Sequence, residues 1–134
     1  MLLTFIYPGN HQTCGSLICL ITKKDAKFPK FYLRDSKTLI DSIDKLFGKQ
    51  EIKISENKDF SEKFLLQGTN VDETKNFFSE SRLQALSQEH IKGYEYEADE
   101  DYFVVSYPSS PSIPVEEYEA LQNKTFALLK KFGV

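Results

Sequence analysis

The order of its hydrophobic patterns is the feature of this sequence that most constrains the fold. Short apolar runs typical of β-strands come in neighbouring pairs, and stretches with apolar residues at helical spacing separate the pairs. Residues 2–7 and 13–22 flank a turn that begins at Pro8, and residues 91–97 and 102–107 flank an acidic turn. Both pairs predict β-hairpins. Neighbouring hairpins favour a sheet that is mainly antiparallel.

The two longest helical patterns lie far apart in the chain. Asp35 or Ser36 can cap the first, and Gly48 follows it where a left-handed C-cap belongs. The second runs from Val115 to the end of the sequence and starts just after Pro114, which suits the first turn of a helix. We expect its apolar stripe to pack onto the sheet, with Tyr118, Phe126, Leu129 and Phe132 in the contact.

Two shorter helices are predicted in between. Asn70 and Glu73 have the spacing of a capping box, which opens a helix that ends around Phe77. Ser79 can then cap another helix, which runs to about Glu89.

Three short strands complete the prediction. Residues 31–33 form one, and because Pro29 cannot donate to a ladder, this strand either lies at a sheet edge or starts after Pro29. Residues 52–54 form a short strand or extended link, and residues 63–67 form another strand. The sequence therefore predicts one α+β domain over residues 1–134, with a mainly antiparallel sheet and amphipathic helices packed on one face.

Size and charge bound the kind of protein. With 134 residues the chain can bury a core without disulfides or metal, and a net charge of -3 gives no field that attracts nucleic acid. No apolar run approaches the length of a membrane span, and the opening residues lack the basic start of a signal peptide. We therefore expect a soluble, cytoplasmic protein without a cofactor.

The nearest approach to a metal or thiol site is formed by His11, Cys14 and Cys19. A structural zinc needs four ligands, and alternation along a strand would point the two cysteines to opposite faces. The only other histidine, His90, is distant in sequence and expected at a helix end. We predict neither a metal site nor a catalytic site, and expect two structural cysteines.

Two charged stretches are explained by exposure to solvent. The acidic residues around Asp99 lack the EF-hand spacing and glycine, so we interpret them as a solvated hairpin tip. Lysines and arginines between residues 23 and 37 are interleaved with aromatics, a pattern also found in nucleic-acid-binding surfaces. Because the net charge is negative, a solvated sheet edge is the preferred interpretation and nucleic-acid binding is not expected.

Several phrases resemble a bacterial domain of unknown function. FPKFYLR at residues 28–34 and FSEKFLLQG at residues 60–68 are similar to the family phrases "lPdFeLrPe" and "FSrrfvLrG". IKG at residues 91–93 and DYFVVSYP at residues 101–108 also match in order, so the resemblance covers roughly residues 12 to 132. It implies no activity and no catalytic residues. Membrane helices often precede such domains, so we expect membrane association only for a longer form that carries them.

Two functions are favoured by the sequence, and an enzyme ranks third behind them. The first is a non-catalytic bacterial domain that acts through binding or assembly, with an unknown protein partner or a second copy of itself. The alternative is a small-ligand binding domain, whose pocket between sheet and helices would be lined by Tyr94, Tyr96 and Tyr107.

Overall fold

The computed structural model describes residues 2–9, 12–22, 25, 27–36, 50–109 and 115–134. Within these ranges the side chains of residues 2–9, 12–22, 108, 109, 115 and 118 are not described. The helix predicted over residues 36–48 lies, apart from Ser36, outside the described residues, and so does His11.

Within the described ranges, seven strands form one sheet in which every pairing is antiparallel. The strands are β1 (Leu2–Gly9), β2 (Gln12–Thr22), β3 (Phe28–Asp35), β4 (Gln50–Glu51), β5 (Phe64–Gly68), β6 (Glu95–Glu100) and β7 (Tyr102–Ser109). They lie in the order β1-β2-β7-β6-β3-β5-β4. The helices are α1 (Lys58–Lys63), α2 (Val71–Phe77), α3 (Glu80–Glu89) and α4 (Val115–Phe132). The predicted α+β class with an antiparallel sheet is confirmed.

Both predicted hairpins form, but the first turn does not begin at Pro8 as predicted, since Pro8 and Gly9 belong to β1 and pair with Thr13 and Gln12. β1 pairs with β2 and β6 pairs with β7, with Asp99 opposite Tyr102 at the tip of the second hairpin. β6 begins at Glu95, four residues later than predicted, because the chain first makes a turn. In that turn the Tyr94 amide donates to the Ile91 carbonyl at 2.9 Å, and Gly93 has a φ of 93° that side chains disfavour.

β3 corrects the prediction made from Pro29. The strand starts at Phe28, includes Pro29 and lies inside the sheet between β6 and β5. Its register with β6 shifts between Phe28 and Phe31, which marks a bulge or irregularity. Such an irregularity accommodates a residue that cannot donate a ladder hydrogen bond, so Pro29 is tolerated at an inner strand.

The short helices begin as their capping residues predict. The Asn70 side chain accepts from the Glu73 amide at 3.2 Å, and α2 ends at Phe77. Ser79 occupies the N-cap position of α3, but its side chain makes no capping hydrogen bond. The sequence interpretation missed α1, which Asn57 caps by accepting from the amide of Phe60 at 2.9 Å.

An aromatic core fills the space between the sheet and the helices. The Phe31 ring is fully buried and lies within 6.0 Å, centroid to centroid, of the rings of Phe77, Phe78 and Phe103. Arg82 of α3 links this helix to α2 and α4, since its guanidinium donates to the carbonyls of Phe77 and Phe132.

The buried stripe of α4 differs from the predicted one. Leu129 and Phe132 are buried as predicted, but Phe126 is 49% exposed, so its predicted packing onto the sheet is wrong. Each helical residue rotates the side chain by about 100°, and the neighbouring Thr125 occupies the buried face instead. The side chain of Tyr118 lies outside the described ones.

Candidate functional site

Three polar side chains meet where β3, α3 and β6 converge. Asp35 is the last residue of β3, His90 is the C-cap of α3, and Tyr96 is the second residue of β6. His90 Nε2 lies 2.8 Å from Asp35 Oδ1, and His90 Nδ1 lies 2.8 Å from the Tyr96 hydroxyl. We call this cluster the Asp–His–Tyr chain. The expected position of His90 at a helix end is confirmed, whereas its two partners were missed.

The chemistry of the partners sets the direction of each hydrogen bond. The Asp35 carboxylate only accepts, so His90 donates through Nε2–H. Burial lowers the pKa of His90 below its ordinary value, against the opposing effect of Asp35. A neutral imidazole has one donor and one acceptor, so Nδ1 accepts from the Tyr96 hydroxyl. The Tyr96 pKa is strongly raised, chiefly by burial, which keeps its proton in place.

The Asp–His–Tyr chain is buried at its Tyr96 end, whereas the Asp35 side chain at the other end is 33% exposed. Asp35 Oδ2 accepts the backbone N–H of Gly93 at 2.8 Å, so both carboxylate oxygens have partners. Tyr96 is 1% exposed, and the His90 side chain is 12% exposed. A carboxylate, an imidazole and a hydroxyl in this order resemble a catalytic triad. Here the terminal hydroxyl has no access for a substrate, and the chain instead ties three elements together.

The sequence offered little signal for this cluster. Asp35 was interpreted as a helix cap, but its carboxylate binds His90 and Gly93. His90 and Asp35 are separated by 55 positions, so only the pairing of β3 with β6 brings them together.

The three tyrosines proposed to line a ligand pocket also lie close together. The ring of Tyr94 is 6.2 Å from that of Tyr96 and 5.5 Å from that of Tyr107. Tyr94 is 1% exposed, and its hydroxyl reaches the Leu121 carbonyl and the Thr125 hydroxyl. The hydroxyls of Tyr94 and Tyr96 therefore bind protein groups, and the two rings fill the layer between the sheet and the helices. Tyr107 is half-buried.

A shallow cavity of about 280 Å³ lies elsewhere, between α1 and α3. Its floor is made by the buried rings of Phe60 and Phe64 with Leu83, and its rim carries Asp59, Lys63 and Glu80. The mixed charges of the rim define no single class of ligand.

The acidic and basic stretches meet across the sheet. Lys30 Nζ lies 2.6 Å from Asp99 Oδ2, and this contact raises the pKa of Lys30. Part of the basic stretch is therefore neutralised by the acidic hairpin tip. Within the described ranges, no three His, Cys, Asp or Glu side chains gather as metal ligands. Cys14 and Cys19 lie in β2, but their side chains are not among those described.

The two ends of the sheet differ in length and charge. β4 has two residues and includes Glu51, which forms an ion pair with Lys53. β1 has eight residues, and all 17 Lys and Arg and all 20 Asp and Glu of the chain come after residue 22. β1 and β2 therefore form a hairpin without formal charge other than that available to His11, and we call it the charge-free hairpin. Natural sheets usually protect long edges with charge, proline or a bulge, and β1 has only Pro8.

None of the helices within the described ranges is both long and apolar enough to cross a membrane. Comparison of the chain with protein-family models, with curated proteins and with solved structures finds no match to any of them.

Proposed function

We propose that this chain is a non-catalytic bacterial domain that acts by binding a partner along the β1 edge of its sheet. The single observation that carries the proposal is the charge-free hairpin at the end of the strand order. An edge strand offers a row of backbone donors and acceptors to an added strand. Backbone hydrogen bonds supply affinity in strand addition, and neighbouring side chains supply selectivity.

The buried hydroxyl end of the Asp–His–Tyr chain supports the non-catalytic part of the proposal. A general base must reach the proton it removes, and a nucleophile must reach its substrate. Tyr96 is 1% exposed and both oxygens of Asp35 are occupied by His90 and Gly93. The resemblance to a bacterial domain without assigned chemistry is consistent with the same role.

The alternative of a small-ligand domain has weaker support. The hydroxyls of Tyr94 and Tyr96 already bind protein groups, so a ligand between sheet and helices would have to displace those bonds.

The test uses an extended peptide as a generic added strand. A fluorescent peptide of six alternating valine and threonine residues, flanked by lysines for solubility, is titrated with the protein and followed by anisotropy. Thr4→Lys places a charge on β1, and Gln50→Lys places the same charge on exposed β4 at the opposite edge. We expect wild type and Gln50→Lys to bind equally, and Thr4→Lys to bind at least tenfold more weakly. Equal binding to all three proteins, or binding to none, would contradict the proposal.

A further inference from the structure

We propose that the partner bound along β1 is a second copy of this chain, paired antiparallel through the same strand. This inference rests on the proposed function and names the partner of the same edge. Three properties of the edge lead to it: its lack of charge, its self-complementary pairing and the shortness of the opposite edge.

The lack of charge favours an equally uncharged partner strand. Residues 2–9 contain no Asp, Glu, Lys or Arg, so two copies of β1 meet without like-charge repulsion. A charged partner strand would lose hydration along this segment and find no opposite charge there. Among the strands that the structure describes, β2, β5 and β7 also contain none of these four residue types, but each already has a neighbouring strand on both sides. The uncharged edge that matches β1 is therefore β1 of a second copy.

Antiparallel pairing of a strand with itself is closed by a two-fold axis. Each residue of one copy then contacts the same patch on the other, which makes the contact isologous. Pro8 cannot donate a ladder hydrogen bond, so the pairing is expected over residues 2–7. A two-fold axis perpendicular to the sheet keeps each side chain on its own face, so it must pass between two copies of one residue. Within residues 2–7 we place the axis at Thr4, which sets Thr4 of one copy opposite Thr4 of the partner subunit.

The opposite edge explains why assembly stops at a dimer. β4 has only two residues, both exposed, and Glu51 adds a negative charge. A two-residue strand offers few backbone groups to a further copy, so the sheet does not extend there. One long edge and one short edge in each chain give a closed pair with a continuous sheet across the axis.

Charge reversal at the axis gives a direct test. Wild type, Thr4→Lys, Thr4→Glu and the control Gln50→Lys are studied by sedimentation velocity over a range of concentrations. We expect wild type and Gln50→Lys to dimerise with equal dissociation constants, and each Thr4 variant alone to dimerise at least tenfold more weakly. An equimolar mixture of Thr4→Lys and Thr4→Glu is expected to recover dimerisation, because opposite charges then meet near the axis.

The outcomes separate this inference from the proposed function. Thermal melting of each variant verifies its fold, and the mixture provides a readout even where one variant alone is less stable. A wild type that remains monomeric overturns the inference, and so do Thr4 variants that dimerise like wild type or a mixture that recovers nothing. If the monomeric wild type still binds the valine–threonine peptide through β1, the edge serves another partner and the proposed function stands. If the chain dimerises, the peptide is expected to compete with the second copy.

Discussion

The region around β3 and the charge-free hairpin share one sheet but satisfy their polar groups in different ways. Around β3, α1 contacts β5 and α2 contacts β3, and the Asp–His–Tyr chain joins side chains from separate elements. At the other end, β1 follows β2 in the strand order, and its backbone offers a further edge. In the first region folding itself pairs the polar side chains. In the second, no other described strand pairs with the outer edge of β1, so stability and the proposed binding are expected to respond to different mutations.

The largest effect should come from the aromatic core. Phe31 is fully buried among three aromatic rings, so Phe31→Ala should lower the free energy of unfolding by about 3–5 kcal/mol. Phe126→Ala is the matched control, because Phe126 is 49% exposed, and it should cost less than about 0.5 kcal/mol. Urea denaturation measures both. A large loss at Phe126 would mean that α4 faces the sheet as the sequence first indicated.

The next effect should come from the Asp–His–Tyr chain. Tyr96→Phe removes the hydroxyl that donates to His90 Nδ1 and leaves this half-buried nitrogen unpaired, which should cost about 1–3 kcal/mol. Tyr102→Phe removes a hydroxyl that donates to exposed Glu97, so it should change stability by less than about 0.5 kcal/mol. Equal losses in the free energy of unfolding, measured by denaturant titration, would show that the Asp–His–Tyr chain stabilises the fold no more than an exposed hydrogen bond does.

A smaller effect concerns pH. Burial lowers the pKa of His90 in the folded state below the ordinary value of 6.5, so the unfolded chain takes up the proton first as the pH falls. The contribution of neutral His90 is therefore fully present above pH 6.5 and is lost as the pH falls from there towards the lowered folded pKa.

Replacement by glutamine isolates this contribution. The free energy of unfolding of His90→Gln should fall less steeply than that of wild type between pH 7 and pH 5, and His11 supplies the same background in both proteins. If the free energies of unfolding of the two proteins fall in parallel with pH, His90 has the same pKa in the folded and unfolded states.

The smallest effect is expected from metal removal, which probes the hairpin. A structural zinc takes four ligands, and His11, Cys14 and Cys19 supply only three. Treatment with EDTA should leave the melting temperature unchanged. A drop of several degrees would assign the hairpin a metal-dependent role and change the comparison with the β3 region.

Much of the fold followed from local signals. Turn residues and apolar alternation located both hairpins, and Asn70 located the start of α2. Local signals failed where tertiary contacts decided. Pro29 indicated an edge, but an irregular register admits it to an inner strand. The sequence of α4 is compatible with more than one apolar stripe. Packing against Tyr94 places Thr125, rather than Phe126, on the buried face.

The sequence by itself determined the antiparallel hairpins and the charge-free character of the first 22 residues, because turn chemistry and composition are local properties. Only the tertiary structure decided that β1 is the terminal strand among those described and that Asp35, His90 and Tyr96 meet. Strand order is set by packing between segments distant in the chain, and no local pattern encodes which residues a sheet will bring together.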